Sequence, residues 1–256
     1  MNKLMQLAAA SGQALPKSAK EGELKLASFT LLELHMNCPY SAYLRSTQSK
    51  SGEKQEQNPA AERGSNIHDW IEKYIKGELK VLPKDIKHQR DYITQLYSAR
   101  NESGLAIQME EKWYFDREFA PCLYPERRIL IKQDVFYFTG PNAAVCDDWK
   151  TGRRNGNEAK HARQLQFYAV SGMMRYPELE HITVSARYTD ENSVYTRGYT
   201  REQVMPFFRT WNNKLQLFWA DTTYMPKPNR INCKNCPYNK PNADGEYACE
   251  HGVRDA

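Results

Sequence analysis

The chain has 256 residues, 40% of them hydrophobic, with a formal net charge of +5. That length suits one large domain or a domain with an appendage, and the apolar content supports a sizeable core. No uninterrupted apolar run approaches the ~18 residues needed to span a bilayer, so a helical membrane protein is not expected. The mildly basic balance permits a polyanionic partner without requiring one.

Residues 1–27 are small or polar and read as a flexible arm. Their short apolar stretch, interrupted by Gln6, falls short of a signal peptide, so a cytoplasmic protein is expected. A helix follows. Thr30 and Glu33 have capping-box spacing, and Leu31, Leu32, Leu34, Tyr40 and Leu44 supply its apolar face. Residues 46–61 form a polar loop. A second helix starts near Ser65 or Asn66, carries Ile67, Trp70, Ile71, Tyr74 and Ile75 at helical spacing, and stops at Gly77. More helix is expected from Lys84 to Arg100.

The middle of the chain is β-prone over 107–115, 127–138 and 143–150, with Thr139, Gly140, Pro141 and Asn142 as a turn between the last two. A helix over 158–175, strands over 181–190 and 194–200, and a helix from Arg201 to Leu217 follow. From Pro226 onward the chain is rich in Pro, Asn and Cys and too poor in apolar residues to hold itself together. The CxxC of Cys233 and Cys236 points to metal or cluster ligation in a cytosolic protein. The order of elements implies an α/β domain over 28–225, with 226–256 as a Cys-rich addition.

The hairpin turning at Pro141 carries the chemistry. Asp134 lies seven residues before Pro141 and Asp148 seven after it. Without a bulge, the two carboxylates oppose each other across the ladder, where like charges repel. A divalent cation would reverse that repulsion, and hard oxygen ligands suit Mg²⁺ or Mn²⁺. Asp148 and Lys150 alternate onto one face of their strand. Phosphodiester hydrolysis needs such parts: a cation to activate water and a charge to meet the phosphoryl oxygens. An exposed hairpin with a solvated Asp and Lys would share the pattern, but Ala143, Ala144 and Val145 mark the strand as interior, where unpaired carboxylates are costly.

These residues resemble the PD-(D/E)xK nucleases. Asp134 matches the first acid and Asp148-Trp149-Lys150 the D-x-K. The DWKTG text, followed by QLQFYA, is similar to the RecB-type branch, which includes CRISPR-associated and phage recombination exonucleases. Its Gln-x3-Tyr motif would be Gln164 and Tyr168, and its helix-borne histidine His68 within Arg63-Gly64-Ser65-Asn66-Ile67-His68. The resemblance spans roughly residues 28–250. Gln133 stands where the family often has Gly, and Cys236 and Cys249 stand further apart than is usual.

The resemblance implies a restriction-endonuclease-like core of mixed sheet flanked by helices. It implies a metal held by His68, Asp134, Asp148 and the carbonyl of Trp149, with Lys150, Gln164 and Tyr168 completing the catalytic set. Apart from the resemblance, Glu72, one turn after His68 on the same helix face, has the spacing either to orient the imidazole or to stay solvated, and Glu111, on the strand before the hairpin, is placed to face the site. Arg153, Arg154, Lys160 and Arg163 lie in the same stretch and read either as phosphate contacts or as a solvated basic loop. Cys38, Cys233, Cys236 and Cys249 would hold a [4Fe–4S] cluster or, alternatively, a structural Zn²⁺, with His251 as a substitute ligand. Cys122 and Cys146 read as ordinary thiols. The expected function is a Mg²⁺- or Mn²⁺-dependent DNA exonuclease in recombination, repair or processing, alongside recombination proteins. A structure-specific endonuclease of the same fold and a non-catalytic zinc-stabilised nucleic-acid-binding module are the alternatives. The oligomeric state stays open.

Overall fold

The computed structural model describes residues 26–51, 59–123, 125–242 and 244–254. Most of the expected N-terminal arm and the centre of the expected 46–61 loop lie outside the described residues. The helices are α1 (Phe29–Asn37), α2 (Pro39–Ser51), α3 (Pro59–Ile75), α4 (Arg90–Asn101), α5 (Glu158–Arg175), α6 (Arg201–Ala220) and α7 (Arg230–Lys234). The strands are β1 (Ile107–Met109), β2 (Lys112–Phe115), β3 (Ile129–Lys132), β4 (Val135–Gly140), β5 (Ala143–Lys150), β6 (His181–Tyr188) and β7 (Ser193–Thr200). Among the described residues, no helix is long and apolar enough to cross a membrane.

The chain divides into two compact units, one of residues 55–212 and one of residues 1–54 with 213–256. The larger unit is built on a five-stranded sheet in the order β1-β4-β5-β6-β7. Only β5 and β6 run parallel. A parallel pair needs a long crossover, and α5 provides it. This is the mixed sheet flanked by helices that the sequence implies. Ile67, Ile71 and Ile75 of α3 and Ile93 and Leu96 of α4 share a core with Met109, Val135 and Trp149. The opposite face carries α5, which sits so close that a Cβ on Gly172 would fall 2.7 Å from Ile182. Phe167 of α5 packs on Trp211 at 4.8 Å.

Two expected strands are each broken in two, at the same level. Residues 107–115 divide at Glu110 and Glu111, and residues 127–138 at Gln133 and Asp134. Beyond the break, β2 and β3 leave the main sheet as a two-stranded ribbon. The register is common to both sides, with Met109 opposite Val135 and Lys112 opposite Lys132. Glu110 and Asp134 therefore face each other in the gap, joined by the Glu110 amide donating to the Asp134 carbonyl at 3.0 Å.

The smaller unit holds the α1–α2 pair and the Cys-rich segment. The single N-terminal helix expected from the sequence is two helices. Pro39 disfavours helical backbone at the preceding residue, and Cys38 is extended at φ −156°. The cap of α1 is Ser28, whose hydroxyl accepts from the Leu31 amide at 3.4 Å, rather than Thr30. The next helix begins at Pro59, earlier than Ser65, with proline in the first turn where its missing N–H costs nothing.

Candidate metal and nucleic-acid site

The β4–β5 hairpin places Asp134 opposite Asp148 by way of a bulge. At the turn Gly140 pairs with Ala143, and a ladder running straight from there would put Asp134 opposite Trp149. A register irregularity between Phe138 and Gly140 shifts the pairing by one, so that Val135 meets Asp147 and the next step brings Asp134 to Asp148. A one-residue slip moves every side chain to the other face. The bulge is thus what brings both carboxylates to one face. Across β1, β4 and β5, Glu110, Asp134 and Asp148 form a single row.

Glu110 was missed in the sequence. Its backbone is left-handed, at φ +53°, which bulky residues seldom adopt. Its carboxylate reaches His68 on α3. Glu111, expected to face the site, is exposed. The signal was present: Ile107, Met109, Trp113 and Phe115 keep one parity, and a polar residue at position 111 interrupts it.

His68 comes down on this row from α3. Its Nδ1 lies 3.3 Å from Glu110 Oε1 and 3.3 Å from Asp134 Oδ1. Burial opposes a charged imidazole, but Asp134 and Glu110 outweigh it and raise the His68 pKa to about 10. Burial pushes the Asp134 carboxyl up, against the pull of His68 and with the help of Asp148. Glu110, also disfavoured by burial, is held below the usual carboxylate range by His68 and by Lys132, which ion-pairs with it. Among the described residues, His68, Glu110 and Asp134 present ligand atoms within 4.8 Å of one another. Glu72, expected to orient His68, instead binds Lys76 at 2.6 Å.

Asp148 is held from three sides. Tyr168 donates to its Oδ1 at 2.9 Å and Gln164 Nε2 at 3.2 Å. The Lys150 ammonium pairs with its other oxygen and donates to Gln164 Oε1 at 2.8 Å. Burial and the neighbouring Asp148 push the Tyr168 phenol up, so it serves as a donor. Gln164 and Tyr168, one turn apart on one face of α5, thus both meet the D-x-K. The Trp149 indole packs into the α3–α4 core, while its amide donates to Asp134 Oδ2 at 2.7 Å. His161, which sequence reasoning passed over, bonds the Tyr188 hydroxyl at 2.6 Å. Burial and Lys150 lower its pKa to about 4.

The Arg63–His68 stretch of α3 has three separable parts. Arg63 grips Asp190, Gly64 allows the helix to close on the loop after Lys150, and His68 reaches the acids one turn later. A Cβ on Gly64 would lie 3.1 Å from Thr151 Oγ1. Between α3 and the acids opens a cavity of about 380 Å³ whose lining includes His68, Glu110, Lys132 and Thr151. Arg153 and Lys160 are exposed beside it in sequence, and Arg154 and Arg163 are half-buried.

In the smaller unit, Cys38, Cys233, Cys236 and Cys249 line one cavity of about 250 Å³, with His251 at its wall. The Lys227 amide donates to Cys38 Sγ at 3.3 Å. Burial raises the Cys236 and Cys249 thiols, and the neighbouring sulfurs add to the rise. Among the described residues, no three of these sulfurs come within 4.8 Å of one another. Cys146 is buried in the core and Cys122 is half-buried.

The model of the PD-(D/E)XK nuclease superfamily matches residues 27–125 and 137–240. His68, Glu110, Asp148 and Lys150 lie within the matched segments, and Asp134 in the interval between them. Among curated proteins no sequence matches the chain. The solved structure of SSO0001 is similar at 14% identity, covering 91% of this chain and 89% of its own, with a TM-score of 0.48. A proposed exonuclease from Eubacterium rectale is similar at 13% identity, covering 81% of this chain and 86% of its own, with a TM-score of 0.44.

Proposed function

The chain belongs to the PD-(D/E)XK nuclease superfamily, and on that basis we propose that it is a divalent-metal-dependent DNA exonuclease. The observation that carries the reading is the row of Glu110, Asp134 and Asp148 beneath His68. Converging carboxylates gain a fold nothing by themselves. One imidazole nitrogen and one carboxylate oxygen from each of Glu110 and Asp134, all within 4.8 Å of one another, fit a divalent cation such as Mn²⁺ or Mg²⁺.

His68, Glu110 and Asp134 would hold the cation, with Asp148 and the Trp149 carbonyl as further ligands. A bound cation of this kind activates water and offsets charge on the phosphoryl oxygens. Lys150, fixed by Asp148 and Gln164, sets a positive charge where the transition state becomes more negative. Tyr168 and Gln164 keep the Asp148 carboxylate aimed at the row. The cavity lined by His68, Glu110, Lys132 and Thr151 has room for a small ligand such as a nucleotide at a strand end. DNA recombination, repair or processing is the setting in which such an activity belongs.

The four cysteines carry a structural inorganic centre, a [4Fe–4S] cluster in the first reading and Zn²⁺ in the second. A zinc ion with four sulfurs at about 2.3 Å would draw them to roughly 4 Å from one another. The cavity of about 250 Å³ that all four line favours the larger group. Anaerobic purification followed by iron and zinc analysis decides: stoichiometric iron with visible absorbance supports the cluster, and one tightly bound zinc replaces it.

Incubation with linear and covalently closed single-stranded DNA, each with Mn²⁺ or Mg²⁺, tests the main reading. Degradation of the linear form from one labelled end, with the circle intact, is the expected result. Cutting of the circle would make the protein an endonuclease, and an intact substrate under every condition would defeat the nuclease reading.

A further inference from the structure

Among the described residues, β7 is an edge strand that bonds to β6 alone. Tyr195, Arg197 and Tyr199 alternate onto one of its faces. Tyr195 pairs with Ala186, and Ala186 with Asp148. These three residues therefore stand in one row across the sheet, on the face that carries the acids. With neighbouring strands about 4.8 Å apart, the Tyr195 backbone lies roughly 10 Å from that of Asp148.

The two ends of the Tyr195–Tyr199 stripe are covered differently. The Tyr199 ring meets the half-buried Phe207 of α6 edge-on at 5.4 Å. Tyr195 has guanidinium groups instead: Arg197 at 4.5 Å and Arg154 at 5.5 Å from the ring centre. Arg154 arrives from the loop that follows Lys150. Its amide donates to Glu191 Oε1 at 3.2 Å and its Nη1 to Ser193 Oγ at 3.4 Å. Among the described residues, neither guanidinium pairs with a carboxylate. Arg197 is exposed and Tyr195 half-buried.

Two like charges beside one ring at a solvent edge add little to a fold. The same grouping suits an unpaired nucleic-acid strand, whose base stacks on an aromatic ring while guanidinium forks take the phosphates. We propose that Tyr195, Arg154 and Arg197 form a platform that holds an unpaired nucleotide of a DNA strand next to the phosphate being cleaved. Duplex DNA keeps its bases stacked inside and cannot use the ring, so the platform selects single-stranded DNA. The placement beside a scissile phosphate rests on the nuclease reading; the binding does not.

The test measures binding of the full chain in EDTA, without cleavage, to a labelled single strand and to a blunt-ended, fully paired duplex of equal length. Tyr195→Ala is expected to weaken single-strand binding roughly tenfold, as loss of one stacked base does, and to leave duplex binding unchanged. Tyr195→Phe keeps both. Arg197→Gln is expected to flatten the single-strand salt slope by about 0.7. Single-strand affinity unchanged in a folded Tyr195→Ala protein overturns the proposal, as does an equal loss for strand and duplex. Should Tyr195→Ala fail to fold, the Arg154→Gln, Arg197→Gln double variant decides by the same comparison. A protein that binds strands through Tyr195 yet cleaves nothing with Mn²⁺ or Mg²⁺ defeats the nuclease reading and leaves the platform standing. A nuclease indifferent to Tyr195 defeats the platform alone.

Discussion

Arg63 and Asp190 are joined by two parallel hydrogen bonds of 2.8 and 2.6 Å. The same Asp190 carboxylate accepts the Gly152 amide at 2.7 Å. One group therefore ties the helix that carries His68 to the loop that follows Lys150. The Arg63 guanidinium holds the Asp190 carboxyl below its usual range. Lysine has no planar fork and cannot reproduce both bonds. Arg63→Lys is expected to lower cleavage severalfold while costing no more than about 1 kcal/mol of stability, since the arginine is partly exposed. Thermal melts and metal-dependent cleavage rates measure the two effects, and an unchanged rate would show that α3 is positioned by something else.

Gly64→Ala separates stability from activity. Alanine improves helix propensity by about 1 kcal/mol, but its methyl would press on Thr151 at 3.1 Å. The expected outcome is an unchanged or slightly raised Tm with slower cleavage, because Thr151 adjoins Lys150. Equal activity in the alanine variant would mean that the loop yields freely.

Glu110 and Asp148 are expected to fail in different ways. Glu110 belongs to the group with His68 and Asp134, whereas Asp148 is bound by Tyr168, Gln164 and Lys150. Glu110→Gln should weaken Mn²⁺ binding, read by calorimetry. Asp148→Asn should lower turnover by ~10²-fold or more with a smaller effect on Mn²⁺ affinity. The reverse pattern would exchange their roles.

Asp221 provides a pH dependence in the smaller unit. Burial works against its ionisation, but His35 at 2.9 Å and the amides of Tyr224 and Thr223 lower its pKa to about 2 from 3.8. A depressed folded pKa contributes stability above the unfolded value that disappears as pH falls through the folded one. The contribution, about 2 kcal/mol, is expected in full above pH 3.8 and lost toward pH 2. Asp221→Asn should remove it, so that melts of the two proteins converge at the acid end. A constant difference down to pH 2 would contradict the assignment.

The parts of the fold readable in the sequence were those where local pattern and tertiary role agree. β5 is apolar up to its acids because it is a central strand, and Gln164 and Tyr168 meet Asp148 because helical spacing puts them on one face. The rest depended on partners remote in sequence. The break opposing Glu110 to Asp134 involves two strands at once, so alternation along either one alone ran through it. The bulge near Thr139 compensates a turn one residue out of step with the acids, and turn propensity says nothing of that. Glu72 has the spacing to reach His68, yet Lys76 lies at equal spacing on its other side and takes it. Pro39 was the plainest signal, and it divided a helix that the apolar pattern alone would have continued.

The central claim is that the carboxylate row beneath His68 uses a divalent cation to cut DNA. End-labelled linear DNA, incubated with the wild-type protein and with Asp148→Asn in Mn²⁺ and in EDTA, tests it in one gel. The account predicts cleavage by the wild type in Mn²⁺ alone, and none in EDTA or by the folded variant. Cleavage that survives EDTA, or an Asp148→Asn protein as active as the wild type, would contradict it.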